Sequence, residues 1–183
     1  LINNAGIIVG KYFYEHTTDE ILKTMEINAN APMLVTSAFL KDMLQQNSGH
    51  ICNIASSGGL ISNPKMAVYA ASKWSVIGWS DSLRLEMKQL NKEVFVTTIM
   101  PYYIHTGMFA GVQSKIPSLE PEAAALTIIK AIENNKKMVT IPGYIYRFTR
   151  LGQALMSINV FDWFAGSLLG IYKTMEHFTG HKK

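Results

Sequence analysis

Cysteine is almost absent from this sequence: Cys52 is the single one in 183 residues, so an internal disulfide and a CxxC metal site are excluded. Its setting in HICNIAS suits a buried strand thiol. Charge is sparse as well. Asp, Glu, Lys and Arg make up 16% of the chain against 48% hydrophobic residues, too little charge for a disordered protein and enough apolar mass for one core. The net charge of +4 is spread along the chain without a dense basic block or interleaved aromatics, which argues against a nucleic-acid partner. No uninterrupted apolar run reaches the ~18 residues of a membrane-crossing helix. The histidines offer no ligand set: His177 and His181 stand four apart, but Gly180 lies between them, and no metal site is expected.

What is present is an alternation. Short apolar runs (LIN, HICNIAS, VFVTTIM, MVTIP) are separated by helical patterns over roughly Thr18 to Gln46, Met66 to Leu90 and Pro121 to Asn134. Near-continuous apolar strands between helices predict βαβ units and a parallel sheet covered on both faces, a doubly wound α/β domain. Thr17 with Glu20 forms a capping box, and Pro121 with Glu122 suits a first helical turn. We expect residues 1–143 to form the catalytic part of this domain and 144–183 an apolar helical extension of it. In such sheets ligands lie beyond the carboxyl ends of the strands. The loops NNAG, SSGGLISNPK and PYYIHTGMF all follow a strand and are the places to look for a site.

Within VYAASKWSVIGW, Tyr69 and Lys73 stand four apart on a helix and so share a face. A phenol with an ordinary pKa near 10 needs roughly 4 kcal/mol of differential stabilisation to become a base near neutral pH. A neighbouring ammonium is the simplest source of it. Pro32 has no N–H to give the carbonyl of Asn28, four residues earlier, so that carbonyl is free to hold water, or the proline simply kinks the helix.

The order and spacing of NNAG (Asn3 to Gly6), Asn28, Ser56, Tyr69-x-x-x-Lys73 and the P-x-x-I-x-T run from Pro101 to Thr106 resemble the short-chain dehydrogenase/reductase family. The wider context is most similar to its retinol dehydrogenase and hydroxysteroid dehydrogenase branch. The resemblance implies a Rossmann-like fold and NAD- or NADP-dependent interconversion of an alcohol and a carbonyl. Tyr69 would be the general acid/base, Ser56 would hold the substrate oxygen, Lys73 would lower the phenol's pKa and bond the nicotinamide ribose, and Asn28 would anchor a relay water. Asn3, Ala5 and Gly6 would support the adenosine side of the cofactor, and Ile104 and Thr106 its nicotinamide end. It also implies a homo-oligomer.

Two departures stand out. Tyr102 occupies a position where the family usually has glycine, placing a ring beside the substrate. The family's G-x-x-x-G-x-G turn is not in this sequence, and the chain opens in mid-strand without an initiator methionine, as expected of a piece of a longer protein that is inactive by itself. Localisation is left as cytoplasmic or membrane-associated.

Apolar residues of the two later loops (Leu60, Ile61, Met66, Tyr103, Met108, Phe109, Val112, Ile116) suit a lipophilic alcohol or ketone of retinoid, steroid or fatty type. The stretch from Tyr144 onward is rich in apolar and aromatic residues with Arg147, Arg150 and Lys173 beside them. It is expected to pack over the substrate pocket or on a subunit, or to make peripheral membrane contact. The reading from another class is a non-catalytic nucleotide-sensing or interaction module. The intact Asn28, Ser56, Tyr69 and Lys73 set favours the enzyme, because binding alone needs no proton-transfer chain.

Overall fold

A computed structural model describes residues 1–180; His181 and the end of the C-terminal extension lie outside the described residues. Four strands, β1 (Ile2–Asn3), β2 (Gly49–Ile54), β3 (Val94–Pro101) and β4 (Met138–Ile141), form one parallel sheet in chain order. Helices α1 (Thr18–Met25) and α2 (Ala31–Gln46) connect β1 to β2, α3 (Ala67–Gln89) connects β2 to β3, and α4 (Pro121–Glu133) connects β3 to β4. The α/β fold expected from the alternation is the one observed.

Strand alternation shows that both faces are covered. Ile51, Val94 and Val96 pack with Leu83 and Met87 of α3 and with Leu40 and Met43 of α2. Their neighbours Cys52 and Ile99 point the opposite way, against Ala131 and Ile128 of α4. Successive side chains of a strand face opposite sides, so a sheet with helices on both sides buries both sets, mostly apolar but with Asn53, Thr97 and Thr98 among them. Ile51, Ile99 and Met100 are fully buried, each contributing about 1.5–3 kcal/mol. Cys52 sits among them, its thiol pushed up to about 11 by burial, which makes it an inert core residue.

The capping box at α1 is formed as the sequence predicts. Glu20 N–H donates to Thr17 Oγ1 at 3.2 Å, and Thr17 N–H donates to Glu20 Oε2 at 3.0 Å. The long helical pattern is interrupted by a π-turn over Glu26–Asn30, closed by Ala31 N–H donating to the carbonyl of Glu26. Pro32 lies just beyond it; a residue without an N–H removes one rung of the ladder, and the wider turn absorbs the gap.

Beyond β4 the chain forms α5 (Tyr144–Leu155), α6 (Ile158–Trp163), a π-turn (Phe164–Leu168) and a short 3-10 turn (Ile171–Lys173). A buried polar clamp fastens this tail. Asn63 Nδ2 donates to Thr174 Oγ1 at 2.7 Å, the Tyr103 hydroxyl lies 2.9 Å from the same oxygen, and Gln113 N–H donates to the carbonyl of Thr174. Met175 then packs beside Met66 and Tyr69.

Candidate active site

The carboxyl ends of β1, β2 and β3 open into two adjoining cavities. One, of about 420 Å³, is lined by Asn4, Ala5 and Gly6 after β1, Ser56 after β2, Tyr69 and Lys73 of α3, and Ile104 and Thr106 after β3. The other, of about 320 Å³, lies on the far side of Ser56 and is walled largely by apolar side chains, among them Ile61, Met66, Tyr103, Ile116, Phe148 and Leu169. Ser56, Tyr102 and Phe109 border both. The first cavity has small residues along one wall and a cation at its base; the second has room for an apolar body.

Ser56 ends the extended backbone of β2 and caps a 3-10 turn through Gly58 N–H, which donates to Ser56 Oγ at 3.0 Å. That turn holds its side chain at the junction. Ser57, its neighbour, borders only the apolar cavity. Tyr69 lies in the first turn of α3, buried, with its ring edge-on to Phe109 at 6.0 Å. Lys73 follows one turn later, only 4% exposed. Its Nζ donates to the carbonyl of Ile54 at 2.9 Å and stands 5.8 Å from the centre of the Tyr69 ring.

The electrostatics of this pair differ from the sequence expectation. Burial pushes the Tyr69 phenol up to about 12, with the neighbouring Ser56 hydroxyl pulling the other way. Burial also pushes the Lys73 ammonium down to about 8. Both shifts have one cause: a low-dielectric site disfavours whichever form carries charge. With its ammonium turned to the Ile54 carbonyl, Lys73 does not bring the phenol toward neutrality in this arrangement. The phenol is therefore a proton donor as it stands.

Asn28, only 1% exposed, sits at the π-turn. Its side chain accepts from Ile7 N–H at 2.8 Å and donates to the Ile7 carbonyl at 2.8 Å and to Ser72 Oγ at 3.1 Å. Ser72 Oγ in turn donates to the carbonyl of Tyr69 at 2.7 Å. Asn28 thus ties the turn after β1 to the turn of α3 that carries the phenol. A Cβ at Gly6 would lie 3.4 Å from Lys73 Nζ and 3.5 Å from Asn28 Oδ1, so the NNAG turn passes directly over both.

One expected site residue is displaced. Asn3 belongs to β1, where its amide donates to Asn53 Oδ1 at 2.7 Å and Thr36 Oγ1 at 3.0 Å. Strand pairing turns it into the protein, and Asn4 borders the cavity in its place. Leu60 and Val112, expected in the apolar lining, pack into the core and around Met175 instead. The tail contributes Tyr144, Ile145, Phe148, Thr149 and Phe164 to that lining, as the packing expectation has it. Asn63, Ser72 and Thr174 carry no sequence signal; each is a single polar residue whose partners are far away in the chain.

Parallel α/β topology, a serine at the end of one strand and a buried Tyr-Lys pair on the following helix define a doubly wound α/β domain with a candidate site at the carboxyl ends of its strands. The sequence profile described as short chain dehydrogenase matches residues 1–117, and the chain belongs to that family. It is 35% identical over its whole length to epidermal retinol dehydrogenase 2 of Mus musculus and to retinol dehydrogenase 10 of Homo sapiens, spanning 60% and 55% of those proteins. Among solved structures, a short chain dehydrogenase/reductase from Burkholderia phymatum in complex with NAD superposes with a TM-score of 0.73 at 22% identity, over 84% of this chain and 64% of that one. A 4-hydroxyisoleucine dehydrogenase complexed with NADH gives 0.65 at 26% identity, over 76% and 66%.

Proposed function

We propose that this chain is the catalytic part of an NAD- or NADP-dependent dehydrogenase/reductase that interconverts a lipophilic alcohol and its carbonyl compound. The observation that carries the reading is the joining of two unlike cavities at Ser56, one bearing Tyr69 and Lys73 and the other almost wholly apolar. The names of the relatives, retinol dehydrogenases, support the same substrate class.

The residues present fit a nicotinamide nucleotide. Ala5 and Gly6 leave the cleft wall open to close approach, Lys73 offers an ammonium to ribose hydroxyls, and Ile104 and Thr106 complete the lining. Bound there, the nicotinamide ring would supply or take the hydride. The chain's own part is proton handling and orientation. Ser56 Oγ holds the substrate oxygen and thereby fixes the reacting carbon. Tyr69 Oη, kept protonated by burial, gives its proton to the developing alkoxide in reduction, and in oxidation takes the alcohol's proton when in its phenolate form. Asn28 keeps the loop after β1 and the α3 turn in register, and its π-turn position is where a relay water would join Lys73 to solvent.

The substrate class is tested with a series of linear primary alcohols and the full-length protein with saturating dinucleotide. Because each buried methylene is worth about 0.8 kcal/mol, kcat/KM should climb about fourfold per added carbon until the cavity is filled. A flat profile, or preference for ethanol, would contradict a lipophilic substrate.

Peripheral membrane contact is part of the proposal. Leu151, Leu155, Ile158 and Trp163 are exposed on α5 and α6, Leu155 by 74% and Ile158 by 75%, with Arg147 and Arg150 on α5 beside them. No helix of the described residues is long and apolar enough to cross a membrane, so contact would be interfacial. Leu151→Glu with Leu155→Glu is expected to lower co-sedimentation with phosphatidylserine-containing vesicles about tenfold, since two apolar anchors are lost. Equal sedimentation of the variant and the parent would leave cavity packing as the tail's role.

A further inference from the structure

The opening between the two cavities is bordered by Ser56, Tyr102 and Phe109, and a substrate whose oxygen reaches Tyr69 must place its reacting carbon there. Ser56 is fixed by its turn, and Phe109 is packed edge-on between Tyr69 at 6.0 Å and Tyr103 at 4.9 Å. Tyr102 is the remaining wall. Its backbone is held by Tyr102 N–H donating to the Ile141 carbonyl at 2.8 Å, and its ring meets Tyr103 edge-on at 4.5 Å. That contact limits the ring on one side only. What holds the far end is a single hydrogen bond, 2.7 Å between the Tyr102 hydroxyl and Ser114 Oγ.

Ser114 is well placed to act as a fixed post. Its Oγ accepts from Ile116 N–H at 3.0 Å, which fixes the rotamer. The residues on either side are tied to the tail: Gln113 N–H donates to the Thr174 carbonyl at 3.1 Å, and Lys115 Nζ to the Leu168 carbonyl at 2.8 Å. Ser114 does not itself border either cavity. It therefore reaches the substrate only through Tyr102.

We infer that the Ser114–Tyr102 hydrogen bond is a latch that sets the width of the opening, making Ser114 a positioning residue for substrate selectivity. With the latch closed, the ring stands across the opening and admits a carbon with one slim substituent. With it broken, the ring can swing about its side-chain torsions, and a carbon flanked by two bulky groups can reach Ser56 and Tyr69. The inference rests on the reading of the apolar cavity as the substrate site.

Decan-1-ol and decan-5-ol have the same atoms and differ in the crowding of the carbinol carbon, so the ratio of their affinities reads the opening. Binding is measured by calorimetric titration of the full-length protein with dinucleotide present, and turnover is followed separately. The unsubstituted protein is expected to favour decan-1-ol. Ser114→Ala and Tyr102→Phe should each narrow that preference about fivefold, the worth of one ordinary hydrogen bond. The double variant should narrow it no further, because both changes break the same bond. Ser114→Thr keeps a hydroxyl and should restore the ratio, and Ser114→Ala should leave kcat for decan-1-ol within about twofold, since it touches no reacting atom. An unchanged ratio in Ser114→Ala, or additive effects in the double variant, would overturn the latch alone. Failure of the unsubstituted protein to bind either alcohol would overturn the reading of the cavity and the latch with it.

Discussion

Tyr69→Phe is expected to slow hydride transfer more than about a hundredfold while leaving dinucleotide affinity within about twofold. The substitution removes one oxygen from a ring that is 4% exposed and packed against Phe109, Met66 and Met175, so shape and packing survive. What is lost is the transferable proton, for which the junction offers no substitute of like acidity: an aliphatic hydroxyl such as that of Ser56 is a far weaker acid than a phenol, and the Tyr102 hydroxyl is bonded to Ser114 Oγ. The phenol is protonated at neutral pH, pushed up to about 12 by burial, so its removal should be felt at once in carbonyl reduction. Parallel titration of dinucleotide and assay of both directions separates this loss from misfolding. Residual turnover above about a tenth of the parent would remove Tyr69 from the proton-transfer role, because general acid catalysis contributes at least a hundredfold.

Lys73→Met should produce a different pattern. Turnover and dinucleotide affinity are both expected to fall about tenfold or more, because the ammonium would bond the ribose hydroxyls and so hold the dinucleotide in register with Ser56 and Tyr69. The folded chain, by contrast, should become more stable by about 2 kcal/mol at neutral pH. Lys73 is buried with its pKa depressed from the usual 10.5 to about 8, so folding with the ammonium charged carries a desolvation cost that a methionine of similar length avoids. The sign of the pH dependence follows. Between about 8 and 10.5 the unfolded chain holds more protons on this lysine than the folded chain does, so the parent gains stability as pH rises through that window. The variant's advantage should be full below about 8 and gone above 10.5. Thermal unfolding of both proteins at pH 7 and pH 10 checks it. A variant less stable than the parent at pH 7 would show that the bond to the Ile54 carbonyl outweighs desolvation, and a loss of turnover without loss of affinity would remove the ribose contact.

The parts of this molecule that are written locally could be read from the sequence. Helix α3 follows its apolar and polar spacing almost to the residue, and Tyr69 and Lys73 share a face because four residues make one turn. The α1 capping box involves residues three apart. The apolar runs of β2 and β3 announce strands buried on both faces, and the loops after them carry the cavity residues that topology demands. What was not legible depends on long-range partners. Asn63 and Thr174 are 111 residues apart and meet only because the tail folds back over the cavity. Asn3 looked like a cofactor residue by position, but pairing with Asn53 turns it inward. Pro32 signalled a disturbed helix without specifying that a π-turn would take up the slack. The pKa of Tyr69 could be argued either way from a nearby lysine; only the depth of burial decides it.

The most direct measurement is a single turnover of decan-1-ol carrying two deuterons on its carbinol carbon, with full-length protein in excess over dinucleotide and the product analysed by mass. The account predicts that one deuteron appears on the reduced nicotinamide and the other on the aldehyde carbon in the parent. Loss of the hydroxyl in Tyr69→Phe should slow that transfer more than about a hundredfold. Absence of deuterium from the dinucleotide in the parent, or transfer by Tyr69→Phe at a rate close to the parent's, would contradict the assignment of the two joined cavities to alcohol oxidation through Tyr69.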